Sequence, residues 1–129
     1  MKIGHIAIWS RDIDKLKSFY VNYFGGTAGN KYTNNQKQFE SYFITFESGA
    51  KLELMQTPTL LERYKNGKSQ YIGLAHIAFS VGSKNAVDEL TETLRNANYT
   101  ITSEPRTTGD GYYESCIMDP DGNLVEITE

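Results

Sequence analysis

The phrase GHIAIWS at residues 4–10 returns as AHIAFSV at residues 75–81. A repeated strand phrase in a chain of 129 residues constrains the fold more than any composition does, because it predicts two similar modules. Each phrase also carries one of the two histidines, His5 and His76, inside a run that is otherwise apolar.

Both phrases lead into similar stretches of chain. After the first, DIDKLKSFYVNYF places Ile13, Leu16, Phe19, Tyr20, Tyr23 and Phe24 at helical spacing, and Gly25-Gly26 ends that helix. FESYFITFE and KLELMQ then read as strands around a turn at Ser48-Gly49. After the second phrase, Ser83 is an N-cap for KNAVDELTETLRNANY, with Ala86, Leu90, Leu94 and Ala97 as its apolar stripe. Strands come next at TITSE, YYESCIMD and NLVEIT, and DPDGN turns between the last two. The prediction is an α+β domain over 1–129, in which two βαβββ modules, about 1–56 and 74–129, form a curved mixed sheet around a cleft. Residues 57–73 join them, with a short helix at Leu60 to Tyr64. RTTGDGYYES, 106–115, reads as a Gly-hinged hairpin beside the cleft; its GDG is too short for a phosphate loop.

The repeat extends to chemistry. Glu53 lies 48 residues after His5, and Glu126 lies 50 residues after His76, each Glu amid aliphatic residues of its module's last strand. Side chains alternate across a strand. His5, Ala7 and Trp9 therefore oppose Ile6 and Ile8, and His76, Ala78 and Ser80 oppose Ile77 and Phe79. By the same alternation Glu53 and Glu126 project away from the helix-packing faces. Carboxylates withdrawn from water need a counter-charge. Two imidazoles and two carboxylates suit one divalent ion: Ni, Zn, Co, Mn or Fe(II). On position alone, Trp9, Phe43, Met55 and Tyr113 are candidates for a pocket wall, and Arg106 for meeting an anionic substrate, although an Arg in such a loop more commonly faces solvent.

Bulk properties exclude other classes. A net charge of −3 and a pI near 5.4 argue against nucleic acid as a partner. No apolar run approaches the roughly 20 residues that span a bilayer, and MKIGHIAIWSRD meets charge too early for a signal peptide. One cysteine, Cys116, fits a reducing cytoplasm.

GHIAIWSRDIDKLKSFYVNYFGG, LAHIAFSV and DPDGNLVEIT together resemble the vicinal oxygen chelate superfamily over essentially the whole chain. That group includes glyoxalase I, fosfomycin-resistance thiol transferases, extradiol dioxygenases and bleomycin-binding proteins. The His, Glu, His, Glu order looks most like glyoxalase I, which converts a thiol–methylglyoxal hemithioacetal to a lactate thioester. The resemblance implies His5, Glu53, His76 and Glu126 as metal ligands, Glu126 as catalytic base, and a homodimer acting on a small-molecule thiol adduct. It also implies alternatives: a thiol transferase, or a bleomycin-type binder without turnover. Two positions depart from glyoxalase I. Trp9 stands where an Arg grips glutathione, and Gln56 and Thr57 stand in place of an Asn.

Overall fold

The computed structural model describes residues 1–61 and 72–129, which form two compact units divided between Arg63 and Tyr64. The division falls inside the expected connector, and the helix read over Leu60 to Tyr64 lies outside the described residues beyond Leu61.

The first unit contains β1 (His5–Trp9), α1 (Ile13–Phe24), β2 (Thr27–Ala28), β3 (Tyr32–Asn34), β4 (Phe39–Thr45) and β5 (Lys51–Gln56). Its sheet runs β1-β5-β4-β2, with β3 also paired to β4. β1 and β5 are parallel, because α1 and the strands after it carry the chain back before β5 begins; the remaining pairs are antiparallel. Asp12 caps α1, its Oδ1 accepting from Lys15 N–H at 2.9 Å. Gly25 closes the helix in the left-handed region at φ 65°. Gly26 comes so close to β4 that a Cβ there would meet Ile44 Cγ2 at 2.5 Å. Ile13, Leu16, Phe19 and Tyr20 of α1 pack on Ile8, Tyr42, Ile44, Leu52 and Leu54, all buried.

The second unit repeats the plan with β6 (His76–Ser80), α2 (Lys84–Asn96), β7 (Ile101–Thr107), β8 (Tyr113–Met118) and β9 (Leu124–Thr128). Its sheet runs β6-β9-β8-β7, again with the first and last strands of the module parallel. Ser83 caps α2 as expected, accepting from Ala86 N–H at 3.2 Å. The buried stripe of α2 is rotated from the one read in the sequence. Val87, Thr91 and Leu94 are buried, Ala86 and Leu90 lie at its margin, and Ala97 is an exposed C-cap. Thr91 belongs inside because its hydroxyl meets Ser115 Oγ at 2.6 Å and donates to Val87 C=O, so neither buried oxygen is stranded.

The α+β class and the duplicated module hold. The first module differs from the second by the short β2 and β3, which the sequence pattern did not separate from the loop after Gly26. No helix among the described residues is long and apolar enough to cross a membrane.

The two faces of each sheet should differ in what they contribute to stability. Leu54→Ala, on the helix side and fully buried, is expected to cost about 2–5 kcal/mol. Phe43→Ala, one strand over on the opposite face and 39 % exposed, should cost clearly less. Urea unfolding of both variants reads the difference, and equal losses would contradict the assignment of faces.

Candidate functional site

Register explains why each unit brings one histidine to one glutamate. In the first unit Ala7 of β1 lies opposite Glu53 of β5, and His5 stands two residues earlier on the same face. In the second, Ala78 of β6 lies opposite Glu126 of β9, and His76 again stands two residues earlier. The alanine between them is small, so each histidine reaches diagonally to its glutamate. His5 Nε2 lies 3.5 Å from Glu53 Oε2, and His76 Nε2 lies 3.4 Å from Glu126 Oε2.

Those two gaps are nearly equal and longer than an ordinary hydrogen bond. Two ligands each about 2.1 Å from a tetrahedral metal stand about 3.4 Å apart. The nitrogen and oxygen donors are therefore of the right kind and spacing for two corners of a divalent-metal shell. The histidines are about half exposed and the glutamates mostly covered, so the donors are held by the sheet yet reachable. Among the described residues no three His, Cys, Asp or Glu side chains group closely enough to hold a metal, so each unit offers two donors.

The DPDGN turn sets where Glu126 falls. Asp119 is buried, and its Oδ1 accepts from the N–H groups of Asp121 and Asn123 at 2.9 and 2.8 Å. Asp119 N–H donates to Asn123 C=O at 2.9 Å, and Gly122 takes φ 75°. This clasp locks the β8–β9 hairpin in the register that puts Cys116 beside Glu126 and Glu114 beside Thr128.

The wall candidates divide. Trp9, Phe43 and Met55 share the helix-free face with His5 and Glu53. The His5 and Phe43 rings meet edge to face at 5.6 Å, and Trp9 meets Phe39 likewise at 6.1 Å. Tyr32 continues this row beyond Phe39, and sequence reasoning missed both; alternation from Phe43 back through β4 to Phe39 was the available signal. Tyr113 is a correction. It shares parity with buried Ser115 and Ile117, and its hydroxyl donates to Asp88 of α2 at 2.8 Å, so it lies on the helix side, away from Glu126. Arg106 is a strand residue rather than part of a loop. It sits in β7 opposite Glu114, past a register shift, donates to Ser103 Oγ, and places Nη2 3.7 Å from Glu114 Oε1. The Gly-hinged turn is correspondingly shorter than 106–115, since β7 runs to Thr107 and β8 starts at Tyr113. Gln56 is engaged elsewhere: its Oε1 accepts from Ile13 N–H at 3.0 Å, tying β5 to the start of α1.

Glu114 is a third residue that sequence reading passed over. It shares the helix-free face with Cys116 and Glu126. Burial first, and then the Glu126 charge, push its carboxyl above the usual carboxylate range, against the pull of Arg106. Burial likewise pushes the Cys116 thiol up.

Residues 2–127 match the family described as the Glyoxalase/Bleomycin resistance protein/Dioxygenase superfamily. Bacillus subtilis YwkD is 31% identical over 128 residues, covering 98% of this chain and 95% of that protein. The crystal structure of SMU.1112c superposes with TM-score 0.81 at 23% identity, covering 100% of this chain and 98% of its own. Trypanothione-dependent glyoxalase I of Leishmania major superposes with TM-score 0.77 at 23% identity, covering 100% and 86%.

A raised thiol pKa means less thiolate at a given pH, and the thiolate is the nucleophile. Alkylation of Cys116 by iodoacetamide at pH 8 should therefore be slower in the folded protein than in urea. Equal rates, measured by mass spectrometry, would contradict the burial seen on β8.

Proposed function

Because the chain belongs to the Glyoxalase/Bleomycin resistance protein/Dioxygenase superfamily, we propose that it is a metal-dependent lyase of glyoxalase I type. Its substrate in this reading is the thiol hemithioacetal of a 2-oxoaldehyde. The observation that carries the reading is the duplicated His/Glu pair, with the same register and nearly the same gap in both units. Members of this superfamily typically bind a divalent metal, and many are enzymes. Here His5, Glu53, His76 and Glu126 form the ligand set for one divalent ion (Ni, Zn, Co, Mn or Fe), contributed by one chain or by two copies in a cytoplasmic homodimer.

The reaction moves a proton between adjacent carbons. Bound by these residues, the ion supplies Lewis acidity toward the two vicinal oxygens of the substrate. Glu126 removes the proton from the hydroxyl-bearing carbon and returns it to the neighbouring carbon, while the hydroxyl proton passes to the former carbonyl oxygen, so that the Glu126 carboxyl ends as it began. His5, His76 and Glu53 hold their positions throughout. Trp9, Phe43 and Met55 supply apolar surface on the His5–Glu53 face, against which the uncharged part of the substrate rests and from which water is displaced.

The thiol is open in this reading. Trp9 occupies the place of the glutathione-gripping Arg, and Gln56 is committed to α1. The exposed row of Trp9, Phe43 and Tyr32 supports a second reading, a small-molecule binder that holds a flat ligand without turning it over. Under that reading Trp9→Ala abolishes ligand binding while His5→Ala and His76→Ala leave it intact.

The deciding assay is turnover of methylglyoxal with a panel of thiols after loading with each divalent metal. Glu126→Gln should lower kcat by roughly 100-fold, the scale of a lost general base, while metal is still retained. Near-normal turnover in that variant would remove Glu126 from the chemistry. Absence of turnover by the wild type with every metal and thiol would favour the binder.

A further inference from the structure

In the first unit the register sets a second row of side chains beside the His/Glu pair. Glu53 lies between Ala7 and Phe43 across β1, β5 and β4. The next row on the same face reads Trp9, Met55, Ser41 and Tyr32 across β1, β5, β4 and β3. Rows on one face are two residues apart, about 7 Å along the strand. Phe39, two residues before Ser41, borders this row on the side away from Glu53, with its ring 6.1 Å from Trp9 and 6.2 Å from Tyr32. The middle of the row is low, because Ser41 is small and buried, while Trp9 and Tyr32 at its ends are half exposed. The fold does not demand aromatic residues there. The same four places in the second unit hold Ser80, Thr128, Glu114 and Arg106.

Resting on the reading of the His/Glu pairs as ligands of one divalent ion, we propose that this row is a subsite for an aromatic ring carried by the substrate. The ligand class is then an aryl-substituted compound with vicinal oxygens, such as the thiol adduct of an aryl 2-oxoaldehyde, in preference to its methyl counterpart. Ring geometry separates an aromatic occupant from an aliphatic one. The planes of Trp9 and Phe39 cross at 89° and those of Phe39 and Tyr32 at 59°, so the rings make corners and not a stack. A flat ring lying over Met55 and Ser41 meets one wall by its face and another by its edge, the two arrangements in which aromatic pairs attract. Met55 beneath it supplies a thioether, which also favours an aromatic neighbour. An alkyl group in the same place gains only from the area it covers. Small Ser41 leaves the depth that a ring needs, and Glu53 one row away keeps the metal-ligand end of the face next to it.

The test uses the full chain loaded with Zn2+ and two acids that share vicinal oxygens and differ in one substituent: mandelate, with a phenyl group, and lactate, with a methyl group. Calorimetry should give mandelate a Kd about tenfold below that of lactate, the scale of a ring–ring contact plus the extra area a phenyl group buries. Trp9 is the chain's single tryptophan, so its emission should shift with mandelate and hold steady with lactate. Tyr32→Ala, at a half-exposed site, and Phe39→Leu, which keeps apolar bulk without the ring, should each cut the preference for mandelate to below about threefold. Equal affinities in the wild type, a preference that survives both substitutions, or binding of neither acid overturns the inference, and methylglyoxal turnover then decides the proposed function by itself. A wild type that prefers mandelate yet turns over no hemithioacetal removes the lyase and keeps the ring subsite.

Discussion

The parallel pairing of the first and last strand in each module is the constraint on which the remaining structure depends. A parallel pair cannot be joined by a tight turn, so helix and intervening strands must lie between its members. The crossover puts α1 and α2 on one face of their sheets, and that face takes Leu52, Leu54, Val125 and Ile127. The opposite face is then left for residues outside that core. His5 and Glu53, like His76 and Glu126, arrive there because their two strands lie side by side in the register that Ala7 and Ala78 record. A slip by one residue would turn each glutamate into the helix and each leucine out of it. The hydrophobic cores thereby hold the His/Glu gaps in place without touching them.

Much of this was legible because period two and period 3.6 are written directly into side-chain chemistry. The alternation in HIAIW and KLELMQ, the Ser83 cap and the DPDGN turn each have a local cause, and each recurs in the structure. The failures have local causes too. Strands of two and three residues, such as β2 and β3, are too short to show a period. The stripe of α2 was misplaced because Thr91 reads as polar, while its hydroxyl is satisfied by Val87 and Ser115 inside the core. Tyr113 was read onto the wrong face because an aromatic near a strand start carries no sign of parity. Only its bond to Asp88 on α2, 25 residues earlier, reveals where it points. Arg106 was misread because Pro105 and the glycines after it suggested a loop, whereas an edge strand tolerates a proline and a bulge. Glu114 was invisible for another reason: its neighbour Glu126 is contributed by the next strand, and nothing in YYESC marks which of its polar residues faces it. The repeat exposed both His/Glu pairs, but only the chain's separate pairing of β8 with β9 exposes what stands beside one of them.

The two halves are equal in their donors and unequal in their surroundings. Glu53 stands among Ala7, Phe43 and Met55, with an aromatic edge closing on His5. A carboxylate there has His5 as its polar neighbour and otherwise lies against carbon, so it is poorly solvated on that side. Glu126 stands opposite Cys116, with Glu114 two residues along the same face of β8 and Arg106 Nη2 3.7 Å from Glu114. Both glutamates hold the same backbone position in their units, and the adjacent strand sets the difference between them: Phe43 lies opposite Glu53, and Cys116 lies opposite Glu126.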